Sequence, residues 1–276
     1  MRTADEKLLT LFDLNMAEFH REHARWLPPT CIEENEDSLR VACGSRFPAG
    51  PFNCAMKLGG SNGDAGSFLT DACRHFTALG RGFSVYARAH LDEPLLRACE
   101  DAGYPRLGNP PGMALLEPIA KPDPAPGVVI QTVCDETCAR DFACVVASAY
   151  ETVDMPAKVT AKLFSRPERW ICDPHLRVEV LYDKDCPVAA AMLLWSHGIA
   201  GIYWVGTIPD ARGRGHAERV VRSLCDRAFD YGTGAVILQA SPYGEPIYRR
   251  LGFREITRYP WYMVSFERAK SGGGES

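Results

Sequence analysis

Apolar side chains open the chain at helical spacing: Leu8, Leu11, Phe12 and Phe19 fall on one face of a predicted helix from Leu8 to Trp26. Shorter apolar runs at 39–43 and 52–58 predict strands, and a second helix is expected from Ala65 to Leu79. Beyond it the pattern reads strand (83–88), helix (93–102), a turn at Gly103-Tyr104 and a last strand near 113–116. The second half opens with two helical stretches, 136–149 and 155–164. Apolar strands follow at 176–182 and 188–195, joined across Asp183-Lys184-Asp185, and then a third at 201–207. This half closes in the order of the first: helix (217–231), strand (235–240), helix (245–251), a turn at Gly252-Phe253 and strand (261–266).

The matching order suggests two copies of one fold. Asp92-Glu93-Pro94 stands where Gly244-Glu245-Pro246 stands, and proline in a first helical turn forfeits no hydrogen bond. Between the halves, Lys121-Pro122-Asp123-Pro124-Ala125-Pro126-Gly127 blocks helix and ladder alike and predicts a stiff connector. The expected organisation is an N-terminal domain over 1–120, a linker over 121–127, a second domain over 128–268 and a disordered tail over 269–276. Short antiparallel strands flanked by helices make the fold class α+β, with a mixed, mostly antiparallel sheet rather than a doubly wound one.

Composition narrows the partners. With 276 residues, 46% of them hydrophobic, the chain has material for two globular cores, and a net charge of -4 leaves no nucleic-acid footprint. No run reaches the ~18 apolar residues of a membrane helix. Asp5 and Glu6 put acid where a signal peptide carries none. A cytoplasmic protein without nucleic-acid or membrane partners is expected, and a homodimer is left open. The 11 cysteines are odd in number and scattered, without CxxC spacing, which argues for buried reduced thiols rather than a disulfide framework or a metal site.

Candidate chemistry concentrates after the third strand of the second half. Ile202 to Thr207 runs through Pro209-Asp210-Ala211 into Arg212-Gly213-Arg214-Gly215-His216-Ala217 and then a long helix. A glycine-rich turn at a helix start offers free backbone N–H groups and the positive end of the helix dipole, a cradle for pyrophosphate. The same glycines are equally suited to shaping a tight strand-to-helix connection.

The spacing Arg-x-x-Gly-x-Ala is neither a dinucleotide fingerprint nor a nucleoside-triphosphate loop. It resembles the Q/R-x-x-G-x-G/A signature of the GCN5-related N-acetyltransferase (GNAT) superfamily, and Ile247-Tyr248-Arg249-Arg250-Leu251-Gly252-Phe253 resembles its second hallmark. The resemblance covers about Gly127 to Arg268 and is sharp from Gly201 to Phe253. It implies a tandem of GNAT folds, with acetyl-CoA as cosubstrate and no metal. The pantetheine arm would pair with the backbone of Val205 and Thr207. The pyrophosphate would lie on a loop formed by Arg212, Gly213, Arg214, Gly215, His216 and Ala217. Ala217 replaces a commoner glycine, and Ser241 stands where asparagine is frequent.

Acyl transfer to an amine needs a proton for the departing thiolate, which the resemblance assigns to Tyr248; a phenol of pKa ~10 stays protonated at neutral pH. The oxyanion would meet a backbone N–H near Val205. The general base stays open: Gly201 stands where some members carry glutamate, leaving Tyr203, His197 or a water relay. Glu151 and Asp154 are either attractors of a cationic amine or a solvated turn and a helix cap. Trp170, Trp195 and Trp204 either line an acceptor pocket or pack in the core. In the first half, Leu58-Gly59-Gly60-Ser61-Asn62-Gly63-Asp64 replaces the loop without arginines, and Leu96 or Cys99 stands in the tyrosine place, so that half resembles a degenerate copy. The expected activity is acetyl transfer to the amine of a small molecule by direct attack. The alternatives are a CoA-binding sensor or scaffold without turnover, and an acyltransferase using a longer acyl-CoA.

Overall fold

The computed structural model describes residues 3–48, 50–60 and 64–272. The first half forms α1 (Ala4–Trp26), β1 (Cys31–Glu34), β2 (Ser38–Ala42), β3 (Asn53–Lys57), α2 (Ala65–Ala78), β4 (Phe83–Tyr86), α3 (Glu93–Asp101), β5 (Arg106–Gly108) and β6 (Pro111–Leu115). After it come β7 (Val128–Thr132), α4 (Glu136–Tyr150), α5 (Ala157–Leu163), β8 (Leu176–Asp183), β9 (Cys186–Ser196) and β10 (Ile199–Thr207). The chain ends with α6 (His216–Asp230), β11 (Val236–Gln239), α7 (Glu245–Arg250), β12 (Arg254–Arg258), β13 (Trp261–Val264) and α8 (Phe266–Gly272). Helix α1 starts earlier than its apolar face predicts because a capping box holds it: Thr3 Oγ1 accepts from the Glu6 N–H, and Glu6 Oε2 accepts from the Thr3 N–H.

Two sheets organise these elements. One has the order β1-β2-β3-β4-β13-β5, the other β12-β6-β11-β10-β9-β8-β7. Each contains a parallel neighbour pair bridged by a helix, β3 and β4 across α2 in one, β10 and β11 across α6 in the other, as parallel neighbours require a crossover. The remaining pairs with a defined register are antiparallel. The α+β class and the tandem arrangement both follow.

The duplication carries a crossing of termini. The last strand of the first copy, β6, lies in the seven-stranded sheet, and the last strand of the second, β13, lies in the six-stranded one. The compact units are consequently residues up to Gly112 with those from Glu255 onward, and Met113–Arg254. This corrects the boundary expected at 121–127. The proline run is a connection inside the second unit, where Lys121 pairs with Asp226 at 3.0 Å, Arg222 donates to the Ala120 carbonyl at 3.1 Å and Arg219 donates to the Asp123 carbonyl. Proline removes donors but leaves carbonyls, and the arginines of α6 take them. The tail expected from 269 is helical through 272, with Ala269 fully buried as α8 packs on α2; residues 273–276 lie outside those described.

The unit that carries the glycine turn has its own core, in which Leu193, Ile202, Val220, Leu224, Val236 and Leu238 are at most 2% exposed. Helix α6 presents Val220, Val221, Leu224, Cys225 and Ala228 to it, a stripe at helical spacing. The other unit packs Phe68, Phe76, Phe83 and Leu95 into a separate core. All 11 cysteines are free thiols.

Candidate functional site

Strand β10 pairs in parallel with β11 only at Ala200, Gly201 and Ile202, opposite Val236, Ile237 and Leu238. Beyond Ile202 the ladder with β9 slips: Tyr203 faces Met192 but Gly206 faces Ala190, an extra residue that marks a bulge. Trp204 sits at its centre with φ of 54°, a left-handed conformation that costs a bulky residue free energy and recurs where function holds it. The strand therefore leaves β11 where Val205, Gly206 and Thr207 begin. Val205 packs partly buried on the core, and Thr207 Oγ1 is buried without a hydrogen-bond partner.

The turn after β10 has the geometry of an open cradle. Gly213 and Gly215 have φ of 77° and 78°, and a Cβ at either would meet nothing within 4 Å, so the backbone faces open space rather than a packed neighbour. Gly215 is the N-cap of α6 and no side chain caps that helix, whereas Asp64 caps α2 and Asp135 caps α4. The positive end of α6 is thus left to an external anion. Its acidic first-turn residue, Glu218, is turned back onto Arg222 at 3.0 Å.

The arginines of the turn do different work. Arg212 donates to the Thr207 carbonyl at 3.2 Å, the Ala149 carbonyl at 3.3 Å and Thr152 Oγ1 at 2.9 Å, tying the end of β10 to the end of α4. Arg214 is exposed, with Nη1 3.7 Å from Asp183. His216 is 5% exposed with its Nε2 3.7 Å from the same carboxylate; burial lowers its pKa, so the ring is neutral at physiological pH. Ala217 follows in the first turn of α6.

Tyr248 lies on α7, 6% exposed, its ring edge-on to Phe253 at 5.8 Å. Burial, with smaller contributions from Tyr150 and Cys225, raises its phenol well above the ordinary value and keeps it protonated. A Cβ at Gly244 would come within 2.7 Å of this ring, which explains the glycine ahead of α7. Ser241 is spent locally, its Oγ accepting from the Gly244 N–H at 3.1 Å.

Several residues weighed from sequence fall elsewhere. His197 is an exposed turn residue with φ of 53°, at the opposite end of β10 from the glycine turn. Asp154 does not cap α5; it takes a left-handed conformation, φ 62°, after the short turn 151–153, and Pro156 precedes the helix. Trp170 is a core residue, 1% exposed, against Phe142 and Phe164. Trp195 contacts Tyr231 at 5.1 Å. Tyr203 is 8% exposed, and burial raises its phenol too. Tyr150, in the stretch 150–155 whose sequence resembles the acceptor-lining segment of the superfamily, and Phe164, which sequence did not single out, both contact the Trp204 ring, at 4.9 and 5.2 Å. The only signal for Phe164 was an aromatic at the end of the second predicted helix.

In the other unit the corresponding helix start is closed. Asp64 accepts from the Gly66 and Ser67 N–H groups, both at 3.1 Å, so a carboxylate of the chain sits where an anion would bind; Ser61, Asn62 and Gly63 lie outside the described residues.

Comparison with known proteins agrees with this geometry. A family model described as an acetyltransferase (GNAT) domain matches residues 197–256. Among solved structures, a GCN5-related N-acetyltransferase from Kribbella flavida is similar at a TM-score of 0.70 and 17% identity, over 91% of this chain and 94% of that one. One from Sphaerobacter thermophilus gives 0.63 and 17%, over 85% and 82%. A tandem GNAT protein from the clavulanic acid biosynthesis pathway gives 0.57 and 11%, over 96% and 97%. No curated protein matches. Residues 197–256 thus match a GNAT acetyltransferase domain, and the chain shares the tandem fold of solved GNAT proteins over nearly its whole length.

Proposed function

We propose that this protein transfers an acetyl group from acetyl-CoA to the amine of a small-molecule acceptor by direct attack. The observation that carries the reading is the uncapped glycine turn at the start of α6, immediately after the strand that leaves its parallel neighbour. The residues fit the cosubstrate: N–H groups from Gly213 to Ala217 for the pyrophosphate, and the backbone of Val205 and Thr207 for the pantetheine arm. Acetyl-CoA supplies the activated acetyl group when bound.

The chain's own residues do the rest. The backbone N–H near Val205 stabilises negative charge on the acyl oxygen. Tyr248 holds a proton at Oη for the departing sulfur, and its raised pKa keeps that proton available into alkaline pH. Arg212 positions the segment from Ala149 to Thr152 beside the turn, and Tyr150, Phe164 and Trp204 give that region an apolar, aromatic character suited to the body of an acceptor.

One observation favours a protein that binds CoA without turnover. Gly201, paired inside the sheet with Leu194 and Ile237, offers no carboxylate as a base. A screen of an amine library with acetyl-CoA, reading free thiol, separates the two. Acceptor-dependent thiol release is expected; saturable acetyl-CoA binding with no release for any amine would favour the sensor.

A further inference from the structure

The unit with the closed helix start holds a second constellation of reactive groups, built from three distant parts of the sequence. Asp13 comes from α1, His90 from the turn after β4, and Thr257 from β12, all within the first unit. His90 Nε2 lies 3.2 Å from Asp13 Oδ2, and His90 Nδ1 lies 2.8 Å from Thr257 Oγ1. The imidazole is thus held between a carboxylate and a hydroxyl.

The direction of the two hydrogen bonds follows from the carboxylate. Asp13 is 7% exposed, accepts from Tyr259 Oη at 2.8 Å on Oδ1, and lies 3.5 Å from the Arg88 guanidinium on Oδ2. Arginine can only donate, so Oδ2 is an acceptor and the proton between it and the ring belongs to His90 Nε2. In the neutral ring Nδ1 then carries a lone pair, and Thr257 Oγ1 is the donor to it. The alternative acceptor for that hydroxyl, the Arg258 carbonyl, is 3.5 Å away and is the weaker partner.

The carboxylate is itself fixed. Arg88, 2% exposed, grips Asp92 through two 2.8 Å bonds and donates to the Gly59 carbonyl at 2.8 Å and the Leu58 carbonyl at 3.3 Å. A buried charge held in this way orients Asp13 and through it the imidazole. His90 and Thr257 also line an open recess of about 460 Å³ with Ala89, Glu255, Ile256 and Arg258. The guanidinium at its rim is engaged by Glu255 at 2.8 Å and by the Asn109 carbonyl at 3.1 Å, so the recess suits a neutral ligand.

We propose that Asp13, His90 and Thr257 form a base-activated hydroxyl that accepts an acyl group from small, neutral activated esters, independently of the acetyl-CoA site. Hydroxyl, base and orienting carboxylate stand in the order that nucleophilic acyl transfer requires. Thr257 Oγ forms a bond to the ester carbonyl carbon as its proton passes to His90 Nδ1. The alcohol or phenol leaves, taking that proton, and the acyl group stays on Oγ as an ester. Water then attacks the same carbonyl, its proton going through Nδ1 back to Thr257 Oγ, and the carboxylic acid is released.

The test uses the full chain with 4-nitrophenyl acetate, following phenolate release and mapping the acetylated residue by peptide mass spectrometry after rapid acid quench. One acetyl group on Thr257 is expected. Thr257→Val and His90→Gln should each lower the acylation rate by roughly 10²-fold or more, with Thr257→Ser retaining it, the range a positioned base supplies. Neither variant should change acetyl-CoA affinity. Acetyl found only on other residues, or a wild-type rate in Thr257→Val, overturns the proposal. Should the valine variant fail to fold, the wild-type map and the serine variant decide it on the same terms.

Discussion

At the residue scale the account rests first on Tyr248. Tyr248→Phe keeps the ring against Phe253 and deletes the proton donor, so single-turnover acetylation under saturating donor should fall by about 10²-fold while acetyl-CoA affinity holds. Because burial raises the phenol, the wild-type rate should show no loss from its ionisation up to about pH 10. A Phe variant with wild-type single-turnover rate would leave Tyr248 as packing. The tyrosine was legible because a glycine-aromatic turn follows it. His20 and His23 were not, since nothing in their spacing marks an α1 histidine as buried. Both are 1% exposed, and burial lowers each from 6.5 to about 3. Between those values the unfolded chain binds protons that the folded chain refuses, so stability rises with pH across that window and is fully present above 6.5. The urea midpoint should therefore drop on going from about pH 7 to about pH 5, and His20→Leu should flatten the slope. A midpoint independent of pH over that range would contradict the burial of both rings.

At the scale of elements, the glycine turn and the strand before it were readable, but the bulge between them was not. Glycines at 213 and 215 announce a tight turn, whereas nothing in a tryptophan predicts φ of 54° at Trp204; tertiary pairing imposes it. Gly215→Asp puts a carboxylate at the start of α6 where an anion must approach. We expect it to abolish acetyl-CoA binding with an unchanged far-ultraviolet circular dichroism spectrum, and unaltered affinity in the folded variant would move the site. Gly206 answers a different need. A Cβ there would stand 2.8 Å from the Ala149 Cβ, so α4 must shift from β10. Gly206→Ala should lower the unfolding free energy by about 1–3 kcal/mol in urea titration, the usual cost of overpacking. Strands β1, β5, β7 and β12 escaped prediction for a shared reason. All four are short and lie at sheet edges, where only one side of the strand is paired, and Val128–Thr132 carries no clean alternation of apolar and polar residues.

Across the whole chain, the duplication was visible in the order of elements, and the equivalence of 113–116 with 261–266 held. What the order could not carry is sheet membership: a final strand satisfies its hydrogen bonds in either copy's sheet, and periodicity does not distinguish them. The two copies have also diverged at the helix start, one left open at Gly215 and one closed by Asp64. Acetyl-CoA should accordingly bind once per chain, in the unit spanning Met113–Arg254. Isothermal titration of the full-length protein with acetyl-CoA, run in parallel on Gly215→Asp, tests this most directly. The account predicts one site per chain that disappears in the variant; two equivalent sites, or one that survives the substitution with its affinity intact, would contradict it.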